Sequence, residues 1–495
     1  MFALALALCL AALFPGFAPA RRLVTGIADP EATNLGDQLV FDRIHSAGGS
    51  FVRITVDWPR VAPAHQPTDW NPADPLDPHY DWAEVDRQVI AAHAASLEPW
   101  LQIYGAPRWA QGCHSSDLSY VAPCDPDPKA MAQFAKAAAR RYNGDMGFPA
   151  VRYYQVQNEP NLYLFFNPQF RQGRPVSPQL YRALVNRFTP AVKSVNSSNL
   201  VIAGGLAPLQ RPGGLGPMDF MRRMLCMRGR SHPVKSCDRT ANFDIWAMDP
   251  YTTGGPTHHA AGPDDVSLGD LPEMHRLLRA ADRAGRIEGS LGQTPFWIAE
   301  FSWDSKPPDP GGLPIRIHAR WAAEALYRAW TAGVTTFLWY ELRDQDPNGK
   351  PYSQSVQSGL YFRGASVAQD RPKLTLRAFR FPFVAFRRQR GIAVWGRTPD
   401  SAPGPVSISV ESDRGWTPIR QLHADQSGIF HGLVRTAYGR GGTGRVEATY
   451  ESTDSVPFSL QPVRDFYQPP FGRRTGTAPQ PAPLQPSPLA RVGLR

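Results

Sequence analysis

Two glutamates stand where strand-like runs end. Asn158-Glu159-Pro160 closes the aromatic and β-branched run 151–157, and Glu300 closes a similar run over 295–299. Carboxylates at the C-terminal ends of strands sit where barrel enzymes keep their chemistry. Two of them fit work on a glycosidic bond. One carboxyl would protonate the leaving oxygen and later activate water, while the other attacks the anomeric carbon. The retaining version of that reaction wants the carboxyl groups about 5–5.5 Å apart.

The elements that must carry these acids alternate. Strands are expected over 23–27, 50–56, 97–104, 151–159, 200–204, 243–248, 296–299 and 334–340. Helical spacing fills most of the gaps, over 82–96, 129–142, 177–195, 218–227, 272–284 and 315–332. Ser177-Pro178 reads as the cap and start of one of these helices. Eight strands with helices between them, over residues 21–380, predict an α/β fold of the (β/α)₈ TIM-barrel type. A doubly wound sheet would want a Gly-rich phosphate loop after its first strand, and Gly26-Ile27-Ala28-Asp29-Pro30 is not one. Residues 381–467 change to period-two alternation with turn clusters, which predicts a small C-terminal antiparallel β-sandwich. The stretch 468–495 is rich in Pro, Gly and Arg and is expected to be disordered.

The chain has 495 residues, 42% of them hydrophobic, enough for two or more domains with a large core. Residues 1–20 are mostly apolar and end in Ala18-Pro19-Ala20, a small-x-small cleavage signature, so they read as a signal peptide of a secreted, extracellular protein. Loss of Cys9 would leave Cys113, Cys124, Cys226 and Cys237, an even set that suits disulfides in an exported chain. Three connectivities are open, and local pairing of Cys113 with Cys124 and Cys226 with Cys237 is the simplest. No zinc-type clustering of Cys and His appears. The net charge of +10 would favour acidic cell-wall polymers through long-range fields. Its arginines are scattered and carry no nucleic-acid motif, so no nucleic-acid partner is expected.

The strand-end residues resemble clan A retaining glycoside hydrolases, near family 39 and the cellulase-like family 5. Those families place an Asn-Glu pair at the end of strand four and a Glu at the end of strand seven. The resemblance implies Glu159 as acid/base, Glu300 as nucleophile and Asn158 as the partner of the sugar 2-hydroxyl. Arg53, in Phe51-Val52-Arg53-Ile54-Thr55, resembles the strand-two Arg that keeps the nucleophile ionised, as a neighbouring guanidinium does. Tyr251 resembles the strand-six Tyr that bonds the nucleophile, and Trp339 the strand-eight Trp that floors the subsite. Gly105-Ala106-Pro107-Arg108-Trp109 resembles the strand-three loop of the family 39 branch, and makes Trp109 a substrate-binding candidate. Tyr104 stands where family 5 often has His.

His258, in a Gly- and Pro-rich loop after strand six, is a further candidate for substrate contact. Asp344-Gln345-Asp346-Pro347-Asn348-Gly349 resembles the start of a calcium loop, but Ser355 stands where such a loop needs Glu, so a plain turn is expected. No metal or other cofactor is called for by two-carboxylate chemistry. The expectation is a monomeric glycosidase with a carbohydrate substrate. The alternative is a non-catalytic carbohydrate-binding or wall-adhesion protein on the same scaffold.

Overall fold

The computed structural model describes residues 22–113, 122–252, 254–413, 415–435 and 444–463. The signal-peptide and C-terminal-tail expectations lie outside the described residues. Eight parallel strands close into a barrel in the order β1-β8-β7-β6-β5-β4-β3-β2. They are β1 (Val24–Ala28), β2 (Phe51–Asp57), β3 (Glu98–Tyr104), β4 (Tyr153–Val156), β5 (Leu200–Leu206), β6 (Ile245–Met248), β7 (Phe296–Ile298) and β8 (Val334–Trp339). A main helix follows each strand: α1 (Gln38–Ser46), α2 (Ala83–Ala94), α3 (Pro128–Arg141), α4 (Ser177–Lys193), α5 (Pro217–Met224), α6 (Leu271–Arg283), α7 (Ile315–Thr331) and α8 (Leu374–Arg380).

Local chemistry explains the helix starts. Asp37 accepts the Leu39 N–H at 3.0 Å before α1, and Asp127 accepts the Lys129 N–H at 2.8 Å before α3. Helix α3 then buries Met131, Phe134, Ala135 and Ala138 along one stripe. Ser177 does not cap α4 as the sequence suggests. It is the first helical residue, and its hydroxyl donates instead to Gln169 Oε1 at 2.8 Å.

Strand alternation builds the barrel interior in layers. Phe51, Trp100, Tyr153 and Trp297 point inward and pack as an aromatic plug, with ring centroids 5.0 to 5.5 Å apart. Two residues further along their strands come Arg53, Gln102 and Gln155, and two beyond the inward Ala247 comes Asp249. All four are buried. An apolar aromatic layer thus underlies a polar one, at the C-terminal end of the strands.

The C-terminal part is two antiparallel sheets, a β-sandwich as expected. One holds β9 (Phe383–Arg388), β10 (Gly391–Arg397) and β13 (Ile429–Val434). The other holds β11 (Gly404–Ser412), β12 (Gly415–Ala424), β14 (Arg445–Tyr450), β15 (Thr453–Asp454) and β16 (Phe458–Ser459). The sandwich is fastened to the barrel. Trp395 packs on Tyr327 and Trp330 of α7, and Arg320 donates to Ser459 O at 2.7 Å. The buried Arg397 donates to Leu23 O and to Thr25 Oγ1, at the start of β1. Disulfides join Cys113 to Cys124 and Cys226 to Cys237. Among the described residues no helix is long and apolar enough to cross a membrane.

Candidate active site

Glu300 follows β7 and is fully buried. Each of its carboxylate oxygens has its own donor. Arg53 Nη2 bonds Oε1, and the Tyr251 hydroxyl bonds Oε2 at 2.9 Å. Arg53 Nη1 lies 3.5 Å from Ala299 O, so strand β2 reaches across to the end of β7. Burial works against the Arg53 charge, but Glu300 and then Asp249 together outweigh it and the guanidinium is held above its ordinary value. Burial, and then the charge of Glu300, hold the Tyr251 hydroxyl well above the usual phenol range, so it stays a donor.

Glu159 stands at the end of β4 in a different setting. It is fully buried, with φ of +37°, and Gln157, two residues before it, has φ of +59°. Its amide donates to Gly205 O at 2.9 Å, which ties the end of β4 to β5. Left-handed backbone at a non-glycine residue is uncommon and turns the side chain away from its strand path. Tyr104, at the end of β3, lies within electrostatic reach: burial first, then Asp57 and Glu159, push its hydroxyl upward. Asn158 is oriented from below, since Gln102 Nε2 donates to its Oδ1 at 2.9 Å. That bond fixes the amide with Nδ2 as the free end, and Nδ2 has no hydrogen-bond partner among the described residues.

Asp249 links the two glutamates. Burial raises its carboxyl well above the ordinary range, and Glu300 and then Glu159 raise it further, against the pull of Arg53. The structure therefore gathers Arg53, Asn158, Glu159, Tyr251 and Glu300 in one polar layer, from strands on opposite sides of the barrel. It adds Gln102, Gln155 and Asp249, which sequence reasoning did not single out. Their signal was the inward period of two, counted on from Trp100, Tyr153 and Ala247.

Three candidates fall elsewhere. Trp339 does not floor a cleft. It is fully buried on the helix side of β8 against His318 and Phe379, and its indole N–H donates to Ser358 O at 2.9 Å. Alternation puts the next residue, Tyr340, inside the barrel with Trp297 and Tyr251, where burial, Glu341 and then Glu300 hold its hydroxyl well above the usual range. Trp109 is half-buried in an aromatic cluster with Trp58 and Trp70, and donates to Pro63 O at 2.9 Å. His258 lies in the loop after β6, where its ring rests on Gly254 and its carbonyl accepts from Ser267 and Gly269. In the calcium-like stretch, Asp344 Oδ1 is taken by the buried Lys373 at 2.5 Å and by the Gly359 amide at 3.0 Å. Asp346 instead closes a turn onto the Asn348 amide. Among the described residues no group of three His, Cys, Asp or Glu could hold a metal ion.

No family profile and no curated protein matches the chain. Solved structures align with it at low identity. A family 39 glycoside hydrolase from the gut symbiont Bacteroides cellulosilyticus is 16% identical, with a TM-score of 0.49 over 84% of this chain and 79% of that one. A family 39 enzyme from Xanthomonas axonopodis pv. citri is 15% identical, with a TM-score of 0.47 over 84% and 91%. A monomeric beta-xylosidase from Caulobacter crescentus is 15% identical, with a TM-score of 0.48 over 79% and 82%. Likeness at this level carries no argument about activity, which has to come from the residues themselves.

Proposed function

We propose that the chain is a retaining glycoside hydrolase in which Glu300 is the nucleophile and Glu159 the acid/base. One observation carries the reading: fully buried Glu300, at the end of β7, receives a guanidinium and a phenol hydroxyl in the same polar layer as Glu159. Glu300 has a guanidinium on one oxygen and a hydroxyl on the other, donors that orient a carboxylate for attack. An ionised carboxylate facing an acid is the division of labour double displacement needs.

In the first step Glu300 attacks the anomeric carbon while Glu159 gives its proton to the leaving oxygen. The C–O bond to the leaving group breaks as the bond to Glu300 forms. In the second step Glu159, now ionised, takes a proton from water, the hydroxide attacks the same carbon, and Glu300 leaves as a carboxylate. Asn158 Nδ2, oriented by Gln102, serves as donor to the sugar 2-hydroxyl. Tyr340 takes the inward place expected of Trp339, and Trp109 and His258 are at most contacts for outlying sugar units. Residues 21–380 would be the catalytic unit and 381–467 an accessory unit. We further read the enzyme as secreted and monomeric, with the net charge of +10 favouring acidic wall polymers.

A carbohydrate-binding protein without catalysis has no use for a fully buried Arg–Glu pair, whose desolvation is costly. The test is an aryl glycoside panel. Glu300→Gln is expected to lose nearly all hydrolysis. Glu159→Ala should keep the first step on substrates with good leaving groups, and added azide should restore turnover. Proton NMR of the first product should show the anomeric configuration retained. Wild-type turnover by Glu300→Gln, or inversion, would refute the mechanism.

A further inference from the structure

Asp249 has no place in the two steps above, yet it lies between the residues that perform them. It is fully exposed to the field of Glu300, Glu159 and Arg53, and it is fully buried from solvent. By distance and angle neither of its carboxyl oxygens has a hydrogen-bond partner among the described residues, although the Glu300 amide faces the carboxyl and works weakly against the larger effect of burial. Arg53, the cation that acts on it among the described residues, is already engaged, with Nη2 on Glu300 and Nη1 toward Ala299 O. Tyr251 and Tyr340, the other titratable groups of this layer, are held neutral.

A buried carboxylate in that position would be a further anion around a single guanidinium, and low-dielectric surroundings make an uncompensated charge expensive. A carboxylic acid avoids the cost and has a proton to donate. The Gln155 amide stands close by. A Cβ built on Gly205 would meet Gln155 Nε2 at 2.6 Å and Asp249 Oδ2 at 3.9 Å, so amide and carboxyl flank the same glycine. Gln155 Oε1 is buried and also has no partner among the described residues.

We propose that Asp249 works as a neutral carboxylic acid, a positioning residue that leaves Arg53 to Glu300 alone and keeps a second fixed anion away from Glu159. The proposal rests on the roles given to Glu159 and Glu300. Its consequence is that the site holds one anion per Arg53 through the whole cycle, because Asp249 does not ionise when charge moves between the glutamates.

The test is infrared spectroscopy of the full chain with aspartate labelled with ¹³C at the side-chain carboxyl, which removes glutamates from view. At about pH 8 the acids with ordinary ionisation are carboxylates, and so are Asp29 and Asp344, which titrate at about 6. Wild type should show an isotope-shifted carboxylic-acid C=O band that D249N lacks. D249N should also keep kcat/KM within about tenfold of wild type, since the amide is neutral too. Absence of the band in wild type, or its persistence in D249N, would overturn the proposal. So would a loss in D249N as deep as that of Glu300→Gln. Asp249→Ser serves the same assignment should D249N fail to fold. A wild-type protein with the band and no glycosidase activity would refute the catalytic roles, while an active enzyme without the band refutes only the role of Asp249.

Discussion

Replacing Arg53 by Met tests the electrostatic core of the site without touching either glutamate. The Arg53 and Glu300 side chains are 1% and 0% exposed, so solvent does not screen the pair. Removing one partner of a buried pair costs about 3–5 kcal/mol, because the other charge is stranded. The Tyr251 hydroxyl still bonds Glu300 Oε2 in the variant, which argues for the lower end, about 3 kcal/mol. Urea denaturation of Arg53→Met should show that loss. Glu300 then escapes the penalty by taking up a proton, and a neutral carboxyl is no nucleophile. A similar energy in the transition state corresponds to a fall of about two decades in kcat/KM. The decisive variant is Arg53→Met/Glu300→Gln. With both charges gone, its stability should return to within about 1–2 kcal/mol of wild type, while activity stays absent. If Arg53→Met costs less than about 1 kcal/mol, or if the two single losses simply add in the double variant, the pair does not hold Glu300 as a buried anion and the reasoning fails.

Other perturbations bear on neighbouring parts of the site. Asn158→Ala should lower kcat/KM by about 10- to 100-fold on a glycoside with a 2-hydroxyl, the worth of one hydrogen bond near a developing charge. The loss should shrink on the matching 2-deoxy glycoside, and an equal loss on both substrates would refute the assignment. Gly205 has φ of +57°, and a Cβ there meets Gln155 Nε2 at 2.6 Å, so Gly205→Ala should destabilise by about 1–3 kcal/mol in thermal or urea unfolding. Unchanged stability would mean that the polar layer is loosely packed. Asp29 caps the turn at Ala32 and also accepts the Leu342 and Arg343 amides, yet burial, above all, raises it to about 6. A raised folded-state value means that the native state binds the proton more tightly than the unfolded chain. Its contribution is therefore complete below about pH 4 and is lost as pH rises through about 6. Relative to Asp29→Asn, wild type should lose up to about 3 kcal/mol of stability between pH 4 and pH 7, and a difference flat with pH would refute this.

The barrel was legible because its strands are apolar on both faces and so stand out as runs, as in 200–206 and 334–339. Glu159 and Glu300 drew attention because each ends such a run. The inward register was harder to see. Trp339 drew attention as an aromatic near the end of β8, but alternation turns it toward α8 and leaves Tyr340 inside. Ser177 looked like a cap, but its hydroxyl answers to Gln169, a loop residue whose position no local pattern reveals. Trp109 and His258 were chosen for residue type, and their places are set by loop packing rather than by the strands. Asp249 was passed over because buried acids are rare and an acid before proline looks like a turn. Counting by twos from Ala247 places it in the barrel.

The aromatic plug explains why so few charges serve this site. Phe51, Trp100, Tyr153 and Trp297 close the barrel directly beneath Arg53, Gln102, Gln155 and Asp249, so the polar layer has rings below it instead of water. In such surroundings a single guanidinium acts strongly, and any second fixed charge is expensive. The proposed double displacement would move one negative charge from Glu300 to Glu159 as the ester forms, and return it as the ester is hydrolysed. Arg53 bonds the first of these positions, Glu300. The glycosyl-enzyme would thus take the charge off the oxygen that Arg53 bonds and place it on Glu159. Asp249, within reach of both glutamates and of Arg53, would lower that cost by ionising, but at the price of a proton that Glu159 then competes for. A neutral Asp249 keeps the competition out of the cycle. The intermediate is then higher in energy than it would be beside a second anion, and water attack, which restores the Arg53–Glu300 pair, gains the driving force that the pair releases.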